Sequence, residues 1–262
     1  MKIERQTVWI TGASSGIGRA LAIAMSGEGA HVILSGRRGV ALSETALECA
    51  NETKSLCFEA TDYDALPGIV EEAIGWKGVP DILVNNAGIS QRSLAVDTDF
   101  EVYRRLMEVD FFAPLRLTQL LLPHWVERGS GHLVQIASIA GKLGAPLRTG
   151  YCAAKHAMMG YSDALRAEVA QHGLTVTTVT PGFVATQIAA NAVDGTGERY
   201  GPNDDPVDHG LPTSVAAQQI VEGLNAGKRE IPVGTAQEKA NLVINRLFPG
   251  SVMDRMAKRA GA

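Results

Sequence analysis

The sequence predicts an α/β fold: one doubly wound domain whose seven-stranded parallel sheet carries helices on both faces. Three observations lead there. Seven short runs rich in β-branched residues recur along the 262 residues, most of them apolar at consecutive positions, as strands covered on both faces require. Longer stretches with apolar residues at three- and four-residue intervals separate those runs, the spacing of helices with one buried stripe. No tandem repeat, low-complexity tract or linker divides the chain, so residues 1–262 read as a single domain. Strand, helix and strand in repetition imply parallel pairing through crossover helices.

In chain order, the first strand lies over residues 7–10 and leads through a glycine-rich turn to a helix over 17–25. A strand over 31–34 precedes a helix over 40–51, and a strand over 56–58 precedes a helix over 66–74. The fourth strand, 82–84, is followed by the longest helical pattern, 100–125. Strand 132–136 leads to helix 151–170, strand 174–179 to helix 213–225, and residues 230–233 make the last strand. Residues 187–212 break this rhythm, with Gly195, Gly197, Gly201, Pro202 and Pro206 beside Asp204, Asp205 and Asp208. A loop of that length after a strand reads as a lid over a ligand, against the plainer reading of a solvated insertion.

Composition narrows the function. With 45% hydrophobic residues, 20% charged residues and a net charge of -4, the chain has ample material for a core. Its scattered cations offer no groove for nucleic acid and no face for an anionic membrane. No apolar run approaches the ~20 residues that span a bilayer. The N-terminus passes straight into a strand without a signal-peptide core. Cys49, Cys57 and Cys152 form no CxxC pair, which fits reduced thiols and a cytoplasmic protein.

After the first strand stands Thr11-Gly12-Ala13-Ser14-Ser15-Gly16-Ile17-Gly18, then a helix. Glycines let backbone N–H groups close on a pyrophosphate, and the helix N-terminus adds partial positive charge. The spacing is GxxxGxG. Together with Asn85-Asn86-Ala87-Gly88, Ser138, Tyr151-x-x-x-Lys155 and Pro181-Gly182, it resembles the short-chain dehydrogenase/reductase family, in order over residues 7–186. Residues 141–168 look most like the DHRS-type subgroup of membrane-associated reductases, although no membrane anchor is seen in this chain. The resemblance implies a Rossmann-type sheet, a nicotinamide cofactor, a small-molecule carbonyl or alcohol substrate, and a homodimer or homotetramer.

The end of the second strand bears on the choice of cofactor. A carboxylate there would bind the ribose 2′-OH and repel a 2′-phosphate. This chain has Gly36 where NAD-preferring members carry the acid, followed by Arg37 and Arg38, cationic forks suited to a phosphate. The reading is NADP(H) rather than NAD(H), although a solvated arginine pair at a strand end is the plainer alternative and position 15 carries no basic residue. By resemblance, Ser14 hydrogen-bonds the same phosphate, and Ser15, Gly16, Ile17 and Gly18 complete the turn. Asp62 would meet the adenine amino group, or cap the helix near Ala65. Asn86, Ala87 and Gly88 would lie along the ribose, the asparagine alternatively fixing the sheet. Pro181 and Gly182 would lead Val184 and Thr186 past the nicotinamide.

Tyr151 and Lys155, four residues apart on a helix, project from one face. Hydride transfer to a ketone leaves an alkoxide that needs a proton, and a tyrosine whose phenolate is stabilised by an ammonium can exchange it. Ser138, at the end of the fifth strand, offers a hydroxyl to polarise the carbonyl. Lys155 would also bind the ribose by resemblance. Asp110 departs from the family, which usually has an asparagine there holding a water that links the lysine to solvent. A carboxylate could pair with Lys155 instead and continue the relay or weaken it.

Other signals are discounted. Asp204, Asp205, Asp208 and His209 match no metal-ligand spacing, so no metal is expected. His124, His132, His156 and His172 stand without a nucleophile, and no G-x-S-x-G elbow supports a hydrolase. Two other readings of the same fold stay open: a non-catalytic dinucleotide sensor, which would be expected to lose the tyrosine or lysine, and an epimerase or dehydratase. Leu143, Ala145, Phe183, Ile188 and Leu211 would line an apolar pocket, suited to a lipophilic ketone, a sterol-like alcohol or a fatty-acyl thioester.

Overall fold

The computed structural model describes residues 3–201, 207 and 209–260. Among these, the strands are β1 (Thr7–Thr11), β2 (His31–Gly36), β3 (Thr53–Cys57), β4 (Ile82–Asn85), β5 (Gly131–Ile136), β6 (Leu174–Pro181) and β7 (Glu230–Val233). They form one sheet in the order β3-β2-β1-β4-β5-β6-β7, every neighbouring pair parallel. The helices are α1 (Gly16–Gly27), α2 (Gly39–Glu48), α3 (Leu66–Lys77), α4 (Phe100–Met107), α5 (Ala113–Arg128), α6 (Thr149–Val169), α7 (Thr213–Asn225), α8 (Ala236–Leu247) and α9 (Pro249–Ala260).

Side chains alternate across each strand, so consecutive apolar residues feed two cores. Val8, Ile10, Val32, Leu34, Ile82, Val84 and Val134 pack with α1, α2 and α7. Trp9, Ile33, Leu83 and Leu133 pack on the other face with α3, α5 and α6. The two fully buried indoles find partners for their N–H groups: Trp9 donates to Ser35 Oγ at 3.0 Å and Trp125 to the Pro80 carbonyl at 2.7 Å. Each fully buried valine, leucine or isoleucine of these cores contributes about 1.5–3 kcal/mol of hydrophobic stabilisation.

The structure departs from the sequence reading in four places. The third strand occupies Thr53–Cys57 rather than 56–58, because backbone pairing runs from Val32↔Thr53 to Gly36↔Cys57 and recruits polar residues at this sheet edge. The helix expected over 100–125 is interrupted by a π-helical turn, Glu108–Phe112. Pro114 lacks the N–H that would bond the Asp110 carbonyl in an α-helix, so the widened turn falls where the ladder is already broken. Beyond β7 the chain adds α8 and α9, two helices outside the sequence reading; no residue of α8 is buried, and its apolar residues Val243, Ile244 and Leu247 are exposed. Residues 187–212 are not a structureless loop over their described part. Val193 bridges both Gln91 and Arg199, and Leu211 bridges Val184. The acidic cluster Asp204, Asp205 and Asp208 lies outside the described residues.

Strand order reverses between β1 and β4, where crossovers leave in opposite directions. The loops following β1, β4, β5 and β6 therefore gather at one sheet edge around a crevice, the place where ligands bind in open α/β sheets.

Candidate active site

The first wall of the crevice is the turn from Thr11 to Gly18. Gly12 (φ 66°) and Gly16 (φ 57°) hold left-handed conformations that favour glycine. Gly18 is required for another reason: a Cβ there would stand 2.4 Å from Asn86 Nδ2 and from the Gly12 carbonyl oxygen. Asn86 donates to the Thr11 carbonyl at 2.9 Å and the Gly12 carbonyl at 3.3 Å, while Thr11 Oγ1 accepts from the N–H groups of Asn86 and Ala87. Its side chain thus ties the end of β4 to the glycine turn, a contact that neither the ribose reading nor the sheet reading of Asn86 named. Ser15 precedes α1 without a side-chain cap, which leaves the first-turn N–H groups, Ile17 included, directed at the crevice.

The arginines divide their work. Arg38 Nη2 donates to Ser14 Oγ at 3.1 Å and to the Ser14 carbonyl at 3.3 Å, lying across the glycine turn. Arg37 is exposed and pairs with Glu59 at 3.3 Å. A Cβ at Gly36 would find only ordinary contacts, the nearest being Ser14 Oγ at 3.7 Å, so the space a carboxylate could fill is open beside the arginines. Asp62 is exposed and accepts from the Ala65 N–H at 3.3 Å in the turn that precedes α3, whose start carries no side-chain cap.

The second wall carries the titratable groups. Tyr151 and Lys155 sit one turn apart on α6, both buried. The Tyr151 ring packs in a cluster with Leu106, Ala140, Cys152 and Val193. Lys155 Nζ lies 5.6 Å from the Tyr151 ring centroid and 3.5 Å from Asp110 Oδ2, and it reaches the Ile136 carbonyl at 3.5 Å. Asp110, fully buried on the π turn, accepts from the Ile89 N–H at 2.8 Å and so fixes the loop after β4. Gly88 admits the pair: a Cβ would approach Asp110 Oδ1 to 3.0 Å and Lys155 Nζ to 3.3 Å. Burial works against the Lys155 charge, but Asp110 and Tyr151 outweigh it and hold the ammonium above its usual value. Burial pushes the Asp110 carboxyl upward, against the pull of Lys155 and of the Ile89 N–H.

Ser138 follows β5. Its Oγ accepts from the Ala140 N–H at 3.1 Å and donates to the Pro181 carbonyl at 3.5 Å. Gly141 lets this loop lie against α6, since a Cβ there would stand 2.7 Å from the Lys155 carbonyl oxygen. On the β6 side, Thr186 packs over Gly16, 3.2 Å from where its Cβ would be, and Val184 is buried.

The sequence reading missed Glu238. This α8 residue completes a capping box with Thr235, and its second oxygen accepts from the Phe183 N–H at 2.7 Å, anchoring the Pro181-Gly182-Phe183 turn. Thr235-x-x-Glu238 is a readable helix-start pattern, but its reach to residue 183 has no signature in spacing. Among the described residues, no group of three or more histidine, cysteine or acidic side chains could hold a metal ion, all three cysteines are free, and no helix is long and apolar enough to cross a membrane.

A doubly wound sheet with its glycine turn at the reversal of strand order defines a Rossmann-type nucleotide-binding protein. A sequence model of the short chain dehydrogenase family matches residues 6–196, and the chain belongs to that family as an oxidoreductase of the dehydrogenase/reductase type. Dehydrogenase/reductase SDR family member 7B of Bos taurus is 38% identical over 267 residues, which span 98% of this chain and 82% of that protein. A short chain dehydrogenase/reductase from Burkholderia phymatum in complex with NAD superposes with a TM-score of 0.83 at 22% identity, over 94% of each chain. A short chain dehydrogenase from Burkholderia cenocepacia in complex with NADP gives 0.81 at 23% identity, over 98% of this chain and 99% of its own. These two structures share the fold.

Proposed function

We propose that the chain is an NADP(H)-dependent oxidoreductase that moves a hydride between the nicotinamide and a carbonyl or secondary alcohol substrate. The observation that carries this reading is the buried Lys155 ammonium between the Asp110 carboxylate and the Tyr151 ring. The uncapped start of α1, the crowded glycines and the open space at Gly36 fit a dinucleotide. Gly12, Ser14, Ser15, Gly16, Ile17 and Gly18 would hold the pyrophosphate, with Ser14, Arg38 and Arg37 on the 2′-phosphate. Asp62 would meet the adenine, Asn86, Ala87, Gly88 and Lys155 the ribose, and Pro181, Gly182, Val184 and Thr186 the nicotinamide. The fold accommodates either cofactor in neighbours, so the choice of NADP(H) rests on Gly36, Arg37 and Arg38.

When bound, the nicotinamide supplies or accepts the hydride. In the reductive direction, the Tyr151 hydroxyl gives its proton to the substrate oxygen as that oxygen becomes negative, and the Lys155 ammonium stabilises the phenolate left behind. The Ser138 hydroxyl donates to the same oxygen and spreads its developing charge. Oxidation runs these proton movements in reverse. Asp110 acts by keeping Lys155 charged. Residues 187–212 serve as the lid over an apolar pocket, and the enzyme works in the cytoplasm as a homodimer or homotetramer.

The test is steady-state kinetics with NADPH and NADH over a panel of carbonyls. NADPH is expected to show the lower KM, and Arg38→Ala to raise it roughly tenfold or more while sparing NADH. Tighter use of NADH by the unaltered chain would overturn the cofactor assignment.

A further inference from the structure

We propose that Gln91 is a positioning residue for Tyr151, a role that rests on the functional reading above. Gln91 lies in the loop after β4 and is fully buried, yet every polar atom of its amide is engaged. Its Oε1 accepts from the Gly150 N–H at 2.8 Å. Its Nε2 donates to Ser93 Oγ at 3.0 Å and to Thr98 Oγ1 at 3.2 Å.

Gly150 immediately precedes Tyr151 in the first turn of α6, where N–H groups lack partners within the helix. The residue at the cap position, Arg148, provides no side-chain cap. The cap comes instead from a different loop, across 59 residues of sequence. Position 150 is shaped for this approach: a Cβ there would stand 3.1 Å from Gln91 Oε1 and 2.7 Å from Leu106 Cδ1.

The same residue joins that turn to the segment after β6. Gln91 bridges Val193 in parallel, with the Val193 N–H donating to the Ser90 carbonyl and the Arg92 N–H to the Val193 carbonyl, each at 2.8 Å. Ser93 extends the seam by donating its N–H to the Leu147 carbonyl at 3.1 Å. Gln91 thus ties together three pieces of chain: the loop held by Asp110, the first turn of α6, and the start of the 187–212 segment. Its amide fixes the position of the Tyr151 phenol through the backbone of Gly150, and the Val193 bridge makes that position depend on the seating of the segment.

Two variants test this. Gln91→Met keeps the volume and removes the three hydrogen bonds of the side-chain amide; Gln91→Glu keeps an acceptor for Gly150. Two readouts are taken: amide hydrogen exchange of residues 149–152, which needs no substrate, and kcat normalised to dinucleotide-binding sites titrated calorimetrically. Gln91→Met is expected to speed exchange at Gly150 and lower kcat per site roughly tenfold or more, with cofactor affinity within about twofold. Gln91→Glu is expected to restore most of both. A residue of purely structural importance would reduce the number of competent sites and leave kcat per site unchanged, and that result overturns the proposal. Unaltered exchange at Gly150 overturns it as well. Absence of turnover in the unaltered chain would take down the functional reading and this role together, and is distinguished by being seen without any substitution.

Discussion

Asp110 decides how the candidate active site responds to pH. Lysine in the unfolded chain titrates near 10.5, and Lys155 in the folded chain lies above that value because Asp110 and Tyr151 outweigh the effect of burial. Its stabilisation is therefore complete below the unfolded value and is lost as pH climbs through the folded one. Asp110→Asn removes the carboxylate's charge, leaving Tyr151 as the one charged group opposing the larger effect of burial. The folded value of Lys155 then drops below the unfolded one, and the sign reverses: stability should rise as pH climbs through the interval between them. Near neutral pH, loss of the buried partner should cost about 3–5 kcal/mol. Thermal melts from about pH 8 to pH 10.5 check this, with a flat Tm expected for the unaltered chain and a rising Tm for the variant. Parallel profiles would show that the pair is not coupled as described.

At the scale of elements, much of the architecture could be read before the structure. The six helix patterns and seven strand runs were visible because each buried residue type recurs at its own period: Val8, Ile10 and Trp9 alternate faces, and Leu117, Leu121 and Trp125 share one. The glycine turn and the Tyr151–Lys155 spacing were legible for the same reason, since both depend on local geometry. What could not be read was long-range. Nothing in the spacing of Arg37 and Arg38 says that the second lies on Ser14 and the first on Glu59. The π turn needed the coincidence of Pro114 with a helix that must bury Asp110. Glu238 escaped because its target lies 55 residues upstream, on the turn after β6. That contact yields a prediction for α8. A Cβ at Gly182 would stand 2.2 Å from Glu238 Oε1, so Gly182→Ala must displace the carboxylate and should cost about 1–3 kcal/mol. Glu238→Ala combined with it should cost less than the sum of the single changes, measured by urea unfolding as a double-mutant cycle. Additive losses would mean that α8 does not brace this turn.

Across the whole molecule, the sheet buries polar groups as well as apolar ones, and these set its acid limit. His132 on β5 is buried with Nε2 2.9 Å from Thr177 Oγ1, and burial drives its pKa down to about 4. The unfolded chain takes up this proton near 6.5 and the folded chain resists it, so stability falls as pH drops from about 6.5 to 4. The full effect is on the order of 3 kcal/mol. His132→Phe should flatten this acid limb in urea unfolding at about pH 7 and pH 4.5; an equal loss in both proteins would place the acid sensitivity elsewhere. The same sheet brings four loops to one crevice, and the proposed function divides its chemistry there: proton transfer needs the Tyr151 hydroxyl, whereas dinucleotide binding does not. Single-turnover oxidation of bound NADPH by Tyr151→Phe tests it most directly, with cofactor affinity measured in parallel. The variant should bind NADPH as the unaltered chain does and fail to reduce a carbonyl that the unaltered chain reduces. Reduction at the unaltered rate would contradict the account.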